Sequence, residues 1–244
     1  MTRTGQNIFY DNNITPVKTN YEDRFMWDGQ RLLIKSGDYG KDGSEYATAN
    51  ESFAEIISYG KSGDGPERFE ILTKEGLRMH YGLITEESIE PDSRFLADDN
   101  KTVLTWYLKK VTDLQGNYFE YNYRTFNDGK EIRLTEIIYT GNRVTKLKPK
   151  NKIKFNYIEK DDVNTYYIAG KIVSSSILLK NIEIFVQNEL LSTYNFNYSN
   201  NTYNTFLNEI EKTNFNGEKL NSTVFKYKDN DFDEATYNNI DRGD

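Results

Sequence analysis

The feature that most constrains the fold of this 244-residue chain is an alternation of aromatic and polar side chains over short segments. It is clearest in 152–157 (KIKFNY), 194–198 (YNFNY) and 223–227 (TVFKY). Because successive side chains of a β-strand point to opposite faces, each segment collects its aromatic residues on one face. Turn-forming sequences separate such segments, at Asp42-Gly43, Gln115-Gly116-Asn117, Asn127-Asp128-Gly129, Thr140-Gly141-Asn142 and Asn216-Gly217. The pattern predicts an all-β fold, a large curved antiparallel sheet of consecutive hairpins.

A longer pattern recurs from residue 108 onward: L-x-x-[V/I], a turn-rich stretch, and then [Y/F]-x-Y. The four first halves are Leu108…Val111, Leu134…Ile137, Leu179…Ile182 and Leu207…Ile210. The four aromatic pairs that follow them are Tyr121/Tyr123, Phe155/Tyr157, Phe196/Tyr198 and Phe225/Tyr227. We interpret each copy as a β-hairpin in which the aliphatic residues oppose the aromatic pair. Uneven spacing of the copies favours one large sheet with hairpin insertions over a regular solenoid.

Composition excludes several kinds of chemistry. The chain has no Cys, which rules out disulfides, thiolate metal sites and a cysteine nucleophile, and its one histidine is His80, which we expect at a surface or edge position. A net charge of -7 without a basic block argues against sequence-independent nucleic-acid binding. No segment approaches the roughly 20 apolar residues of a membrane helix, and residues 1–10 lack the apolar core of a signal peptide.

Two local sequences have both a functional and a structural interpretation. Glu209-Ile210-Glu211 has the E-x-E spacing of ADP-ribosyltransferases, and Ser174-Ser175-Ser176 is a weak counterpart of their serine motif. Because Ile210 belongs to the fourth repeat, we favour an outward-facing strand position for both glutamates. The glycines of 60–65 resemble a phosphate loop, but Pro66 and the alternating residues after it predict a hairpin loop instead.

Two further segments concern local structure more than chemistry. Residues 51–60 have apolar residues at helical spacing, yet the same residues suit a strand, so both structures stay open. Asp229-x-Asp231-x-Asp233 has the initial spacing of a calcium loop, but its sixth position is Glu234 instead of Gly and its twelfth is Ile240 instead of Glu. We therefore interpret 229–244 as an acidic tail.

Residues 23–32 (DRFMWDGQRL) resemble the D-R-F-x-L-D-G-Q-R-L signature of the SpvB/TcaC family. That family comprises the amino-terminal region of the Salmonella virulence plasmid B protein and of the insecticidal Tc toxin B component. Trp27 stands where the family usually has Leu, which is an apolar exchange. Further similar pieces follow in order at 39–46, 51–53, 63–66, 69–76, 81–82, 106–108, 113–117 and 167–171, so the resemblance covers roughly residues 1–228.

The resemblance implies structural roles rather than catalytic ones. The residues to which we assign such a role are Asp28, Gly29, Gln30, Arg31, Leu32, Gly65, Pro66, Gly116 and Asn117, together with the four aromatic pairs. It further implies one β domain over 1–228, with repeat-like hairpins from about residue 103, ahead of the acidic tail. Residues 240–244 (IDRGD) resemble the lead-in to an FG-GAP-like repeat, which predicts that the chain is a fragment of a longer protein.

The function implied by the resemblance is that of a non-catalytic segment of a secreted bacterial toxin or RHS-type protein. Its sheet, related to RHS/YD repeats, would form part of a shell around a payload encoded elsewhere, with the rest of a larger toxin polypeptide or complex as partner and no cofactor. An extracellular location follows from the family, although the chain itself shows no signal peptide. Two other classes stay open: a stand-alone carbohydrate-binding or adhesin-like β module and, as a remote alternative, an ADP-ribosyltransferase.

Overall fold

A computed structural model describes residues 1–83, 93–200 and 205–227. These residues form one short helix, α1 (Ile8–Asp11), and seventeen strands. The strands are β1 (Thr2–Thr4), β2 (Arg24–Trp27), β3 (Gln30–Ser36), β4 (Glu45–Thr48), β5 (Glu55–Tyr59), β6 (Arg68–Leu72), β7 (Arg78–Gly82), β8 (Arg94–Leu96), β9 (Val103–Trp106), β10 (Leu108–Thr112), β11 (Asn117–Phe126), β12 (Glu131–Asn142), β13 (Asn151–Ile168), β14 (Lys171–Val186), β15 (Glu189–Asn200), β16 (Thr205–Asn214) and β17 (Lys219–Val224). The predicted acidic tail, with its calcium-loop-like aspartates, lies outside the described residues. In the part of the chain that is described, no helix has the length and apolarity needed to cross a bilayer.

The strands pair in one continuous antiparallel series, which confirms the predicted all-β class. The series runs from β8 through β9 to β1, continues in chain order from β1 to β7, passes to β10, and then proceeds strand by strand to β17. The first half of this series, β1 to β9, curls on itself and is called the curled half. The Gly82 amide of β7 closes it by donating to the carbonyl oxygen of Tyr107, just after β9, at 2.9 Å. Among the described strands, β8 and β17 end the series.

Aromatic side chains form the core of the curled half. Phe25, Phe69 and Trp106 are buried, and their ring centroids lie 5.0–5.3 Å apart in edge-to-face arrangements. Such pairs add about 0.5–1.5 kcal/mol beyond the burial of their surface. The Trp106 indole N–H also donates to the buried carbonyl of Pro66 at 3.1 Å. Much of the aromatic content of the first half therefore serves packing.

A second core joins the curled half to the rest of the sheet. The hairpin of β13 and β14 is the longest among the described residues and turns at Ala169 and Gly170, both with positive φ. Near its tip, Val173 and Ala169 belong to the same apolar cluster as Phe95 and Leu104 from the curled half. The long hairpin thus folds back over the first half and ties the two parts together.

The strands decide four local predictions. Residues 51–60 contain β5, so the strand alternative is right, and 60–65 connect β5 to β6 as the predicted hairpin loop. The turn predicted at 140–142 is wrong: β12 continues through Asn142, and Gly141 pairs with Tyr118, whose ring would lie 2.2 Å from a Cβ at position 141. Of the surface or edge position expected for His80, the edge alternative is wrong, because β7 lies between β6 and β10, and the His80 side chain is 19% exposed.

Candidate functional site

The D-R-F signature residues form a structural anchor at the start of the chain. Asp28 and Gly29 have φ values of 49° and 74° and make the tight turn between β2 and β3. Gln30 accepts a hydrogen bond from the amide of Asn50, while Leu32 is fully buried in the aromatic core. These residues fix a hairpin and its packing.

The buried Arg31 makes the strongest polar contact of this anchor. Its guanidinium donates to both carboxylate oxygens of Asp11, at 2.7 and 2.5 Å, and the side chains are only 5% and 7% exposed. Burial acts to raise the pKa of Asp11, but hydrogen bonds from Asn7 and Arg31 outweigh it, and the pKa lies below its ordinary value. The pair holds α1 against β3.

A second buried ion pair lies against Gly65. Arg3 and Asp23 lie 3.2 Å apart and are each 1% exposed, and the Arg3 guanidinium also donates to the carbonyl of Asp64 at 3.0 Å. A Cβ on Gly65 would lie 2.3 Å from a nitrogen of Arg3. Pro66 follows, fully buried. A side chain at position 65 would therefore displace the Arg3 guanidinium.

Gly116 lies in the turn between β10 and β11, and Asn117 begins β11. Gly116 has a φ of 83°, and Asn117 donates to Asp113 through its amide and its side chain, both at 2.8 Å. Asn142 of β12 donates in turn to the Asn117 side chain at 2.8 Å. Adjacent turns are thus linked by side-chain hydrogen bonds at this end of the sheet.

The last tyrosine of every aromatic pair makes the same hydrogen bond. Its hydroxyl donates to the backbone carbonyl of the leucine that begins its own copy. The four bonds are Tyr123 to Leu108 (2.9 Å), Tyr157 to Leu134 (2.6 Å), Tyr198 to Leu179 (2.8 Å) and Tyr227 to Leu207 (2.7 Å). The repeat read from the sequence therefore has a fixed hydrogen-bonding geometry.

The aliphatic residues directly opposite each of the first three aromatic pairs belong to the next copy. Tyr121 and Tyr123 lie opposite Ile137 and Leu134, Phe155 and Tyr157 opposite Ile182 and Leu179, and Phe196 and Tyr198 opposite Ile210 and Leu207. The prediction that the aliphatic residues of a copy oppose its own aromatic pair is thus wrong: the tyrosine hydroxyl binds its own copy, while the rings face the following one. Each copy depends on its neighbour for its packing.

A recurring β-bulge makes this pairing possible. In a regular strand, the first and fourth residues of L-x-x-[V/I] would point to opposite faces. At each junction the pairing skips the second residue of the motif, Thr135, Lys180 or Asn208. The extra residue brings the leucine and the isoleucine to one face, opposite the two aromatic rings.

The same bulge identifies an earlier junction that does not follow the sequence pattern. Met79 and Tyr81 of β7 lie opposite Val111 and Leu108, and the pairing skips Lys109. Met79-His80-Tyr81 thus occupies the place of an aromatic pair before the first copy. Its only sequence signal is the final tyrosine, since methionine stands at the first position.

A polar row runs along the opposite face of the same junctions. In each of the first three aromatic pairs the middle residue is Asn, and it donates to the third residue of the next L-x-x-[V/I]. The three bonds are Asn122 to Glu136 (3.1 Å), Asn156 to Asn181 (2.7 Å) and Asn197 to Glu209 (3.1 Å). In the fourth pair the middle residue is Lys226.

The aromatic face becomes more exposed toward β17. Tyr123 is 8% exposed, Tyr157 and Tyr198 are half-buried, and Tyr227 is 53% exposed. Burial raises the pKa of Tyr123, Tyr157 and Tyr198 above the ordinary tyrosine value. Their phenols are accordingly neutral hydrogen-bond donors at physiological pH.

The E-x-E glutamates are integrated in the sheet. Glu209 accepts from Asn197, and that hydrogen bond holds the pKa of Glu209 below its ordinary value. The outward-facing position expected for Glu211 is wrong, because this residue is buried and forms an ion pair with Lys219. Ser176 donates to Glu131 of β12 at 2.7 Å rather than to either glutamate. Within 1–83, 93–200 and 205–227, no three His, Asp or Glu side chains cluster as metal ligands would.

Comparison with known proteins shows what this arrangement is similar to. The sequence matches no protein-family model and no curated protein. Among solved structures, the fold is similar to the N-terminal domain of the effector SpvB from Salmonella typhimurium strain LT2, at 13% identity and a TM-score of 0.66, over 93% of this chain and 87% of that domain. It is also similar to part of the TcdB2–TccC3 structure with TEV, at 13% identity and a TM-score of 0.67, and to the Photorhabdus luminescens Tc holotoxin pore, at 13% identity and a TM-score of 0.65.

The two Tc toxin matches are partial on the toxin side. The chain spans 13% of the TcdB2–TccC3 chain and 12% of the holotoxin chain, while 86% and 83% of this chain is covered. The resemblance to SpvB and Tc toxin proteins seen in the sequence is therefore confirmed at the level of the fold.

Proposed function

We propose that this chain is a non-catalytic structural segment of a toxin or toxin-like protein, in which its sheet forms part of a β-shell. The observation that supports this most is the repeated junction. The tyrosine hydroxyls, the aromatic rings and the asparagine amides of the repeat are all engaged in holding strands together. The repeat motif supplies sheet cohesion, which is what a scaffold requires.

The partners in this proposal are other parts of a larger toxin polypeptide or complex. This is supported by the fold shared with a segment of the TcdB2–TccC3 structure, together with the edge of β17, which no other described strand covers and all of whose residues are exposed. An unpaired edge strand is a template for a further strand. An extracellular location after export belongs to the same proposal and rests on the same likeness.

The carbohydrate-binding alternative requires a row of exposed aromatic rings. The most exposed rings instead lie on separate elements: Phe9 in α1, Phe53 before β5, Tyr167 near the tip of the β13–β14 hairpin and Phe215 after β16. The ADP-ribosyltransferase alternative requires free glutamates, whereas Glu209 and Glu211 bind neighbouring side chains of the sheet. Neither alternative is favoured by a specific observation.

Sedimentation velocity of the full chain tests the scaffold proposal. The Phe225 amide donates to the backbone carbonyl oxygen of Asn208 in β16 at 2.8 Å. Because successive amides of a strand point to opposite sides, the Val224 amide points away from β16, toward the uncovered edge. We expect reversible association that grows with protein concentration and that Val224→Pro suppresses, because proline removes an outward donor from the edge. A chain that stays monomeric at high concentration, with its β17 amides protected from exchange, would contradict the proposal.

A parallel assay tests the absence of catalysis. The full chain is incubated with NAD and a protein acceptor, with Glu211→Gln as the matched variant, and is applied to a glycan array. We expect NAD turnover at background for both proteins and no glycan signal, while Glu211→Gln lowers stability because it weakens the pair with Lys219. NAD consumption that disappears in Glu211→Gln would establish the enzyme alternative.

A further inference from the structure

The last aromatic pair lacks the partner that every earlier pair has. Phe225 and Tyr227 are 37% and 53% exposed, and among the described residues no strand lies beyond β17. The remaining contacts of this copy are in place, since Tyr227 donates to Leu207 at 2.7 Å and the Phe225 amide to Asn208. After Ile210 the printed sequence contains no further L-x-x-[V/I]. The fourth junction is therefore half-built.

The middle residue of this pair changes the chemistry of the missing partner. At the three complete junctions an asparagine donates to Glu136, Asn181 or Glu209, the third residue of the facing L-x-x-[V/I]. Lys226 takes that place in the fourth pair and is exposed. An ammonium group donates and cannot accept, and opposite charges facing each other across strands are favourable. The complementary third residue is thus Asp or Glu.

We propose that the edge of β17 binds a β-strand of sequence L-x-[D/E]-[V/I]. The strand adds antiparallel, with its leucine opposite Tyr227, its carboxylate opposite Lys226 and its Val or Ile opposite Phe225, and it carries the bulge at its second residue. This is the register of Leu207, Glu209 and Ile210 against β15, moved one junction along the sheet. The inference rests on the proposed scaffold function and names the chemistry of its partner.

A second copy of this chain does not meet the requirement. Its own L-x-x-[V/I] segments are already paired on both sides, in β10, β12, β14 and β16. The first of them also has Lys110 at the third position, which would face Lys226 with like charge. The strand therefore comes from a different polypeptide.

Peptide binding to the full chain tests the proposal. The probe is a synthetic copy of residues 205–214 (TFLNEIEKTN), which carries the required pattern. Two control peptides replace Glu209 by Lys, or Leu207 and Ile210 by Ser. Affinity is measured by calorimetry at low salt with the wild-type chain and with Lys226→Glu, an exposed substitution whose folding is checked by thermal melting.

We expect the wild-type chain to bind the glutamate peptide with about fivefold higher affinity than the lysine peptide. Lys226→Glu should reverse this order of affinities. The serine peptide should bind weakly to both chains. Equal affinity for the two charged peptides would overturn the inference and leave the scaffold proposal standing, because edge pairing alone needs no carboxylate. Failure of the glutamate peptide to bind would also overturn it. The scaffold proposal would then be decided separately by the sedimentation of the wild-type and Val224→Pro chains.

Discussion

The repeated tyrosine hydrogen bond predicts a specific gradient of stability. Tyr123→Phe keeps the ring, which is only 8% exposed, and removes the hydroxyl that donates to the Leu108 carbonyl at 2.9 Å. A net hydrogen bond contributes about 0.5–1.5 kcal/mol, and a buried acceptor left unpaired costs about 1–3 kcal/mol. We therefore expect a loss of about 1–2 kcal/mol in the free energy of unfolding, equivalent to a fall in Tm of roughly 2–8 °C.

Tyr227→Phe is the matched control for this substitution. It removes the same hydrogen bond, to Leu207 at 2.7 Å, at a residue that is 53% exposed. Water replaces the lost partner there, so we expect a change below about 0.5 kcal/mol. Urea unfolding followed by circular dichroism measures both variants, with the slope against urea unchanged. Equal losses in the two variants, or no loss in Tyr123→Phe, would refute the view that the bond stabilises the buried junctions.

Three further predictions concern other parts of the molecule. Arg31→Met removes one of the two guanidinium partners of the Asp11 carboxylate, since Arg24 still contacts it at 3.1 Å, and should cost about 1.5–3 kcal/mol of unfolding free energy in urea. Lys18→Met, at an exposed pair, should leave the unfolding free energy nearly unchanged. Burial lowers the pKa of His80 against the opposing effect of Glu70, so the folded state binds a proton at His80 less readily than the unfolded state does. The free energy of unfolding should therefore fall as the pH drops below about 6.5. In His80→Gln, thermal melts across that pH range should show a smaller dependence of stability on pH. Gly141→Ala should destabilise the chain by about 1–3 kcal/mol, and pairing it with Tyr118→Ala in a double-mutant cycle should show strong coupling, because the added Cβ meets that ring.

The sequence predicted the fold class and the repeat, because both depend on local periodicity. Alternating segments such as 152–157 and 194–198 lie within β13 and β15, and four of the five predicted turn sequences lie between strands. The failure at 140–142 has a physical cause: Gly141 is required by the approach of the Tyr118 ring from a neighbouring strand. A glycine that accommodates a distant side chain has the same local signature as one that makes a turn.

The register of the repeat could not be derived from spacing alone. The first and fourth residues of L-x-x-[V/I] share a face only because a bulge follows the leucine, and a bulge is defined by the partner strand. The curling of the first half depends on contacts between residues far apart in the chain, such as Arg3 donating to the Val103 carbonyl at 2.8 Å. Met79-His80-Tyr81 escaped notice because only its pairing with β10 identifies it as part of the pattern.

Native-state hydrogen exchange tests the central claim most directly, that the repeats form one continuous sheet ending at an open edge. If each copy is held by the next, the amides of 155–157 and 196–198 exchange with the same free energy, close to that of global unfolding. The outward amide of Val224 then exchanges far faster. Hairpins that exchange independently, each with its own lower free energy, or a Val224 amide as protected as those of β15, would contradict the account.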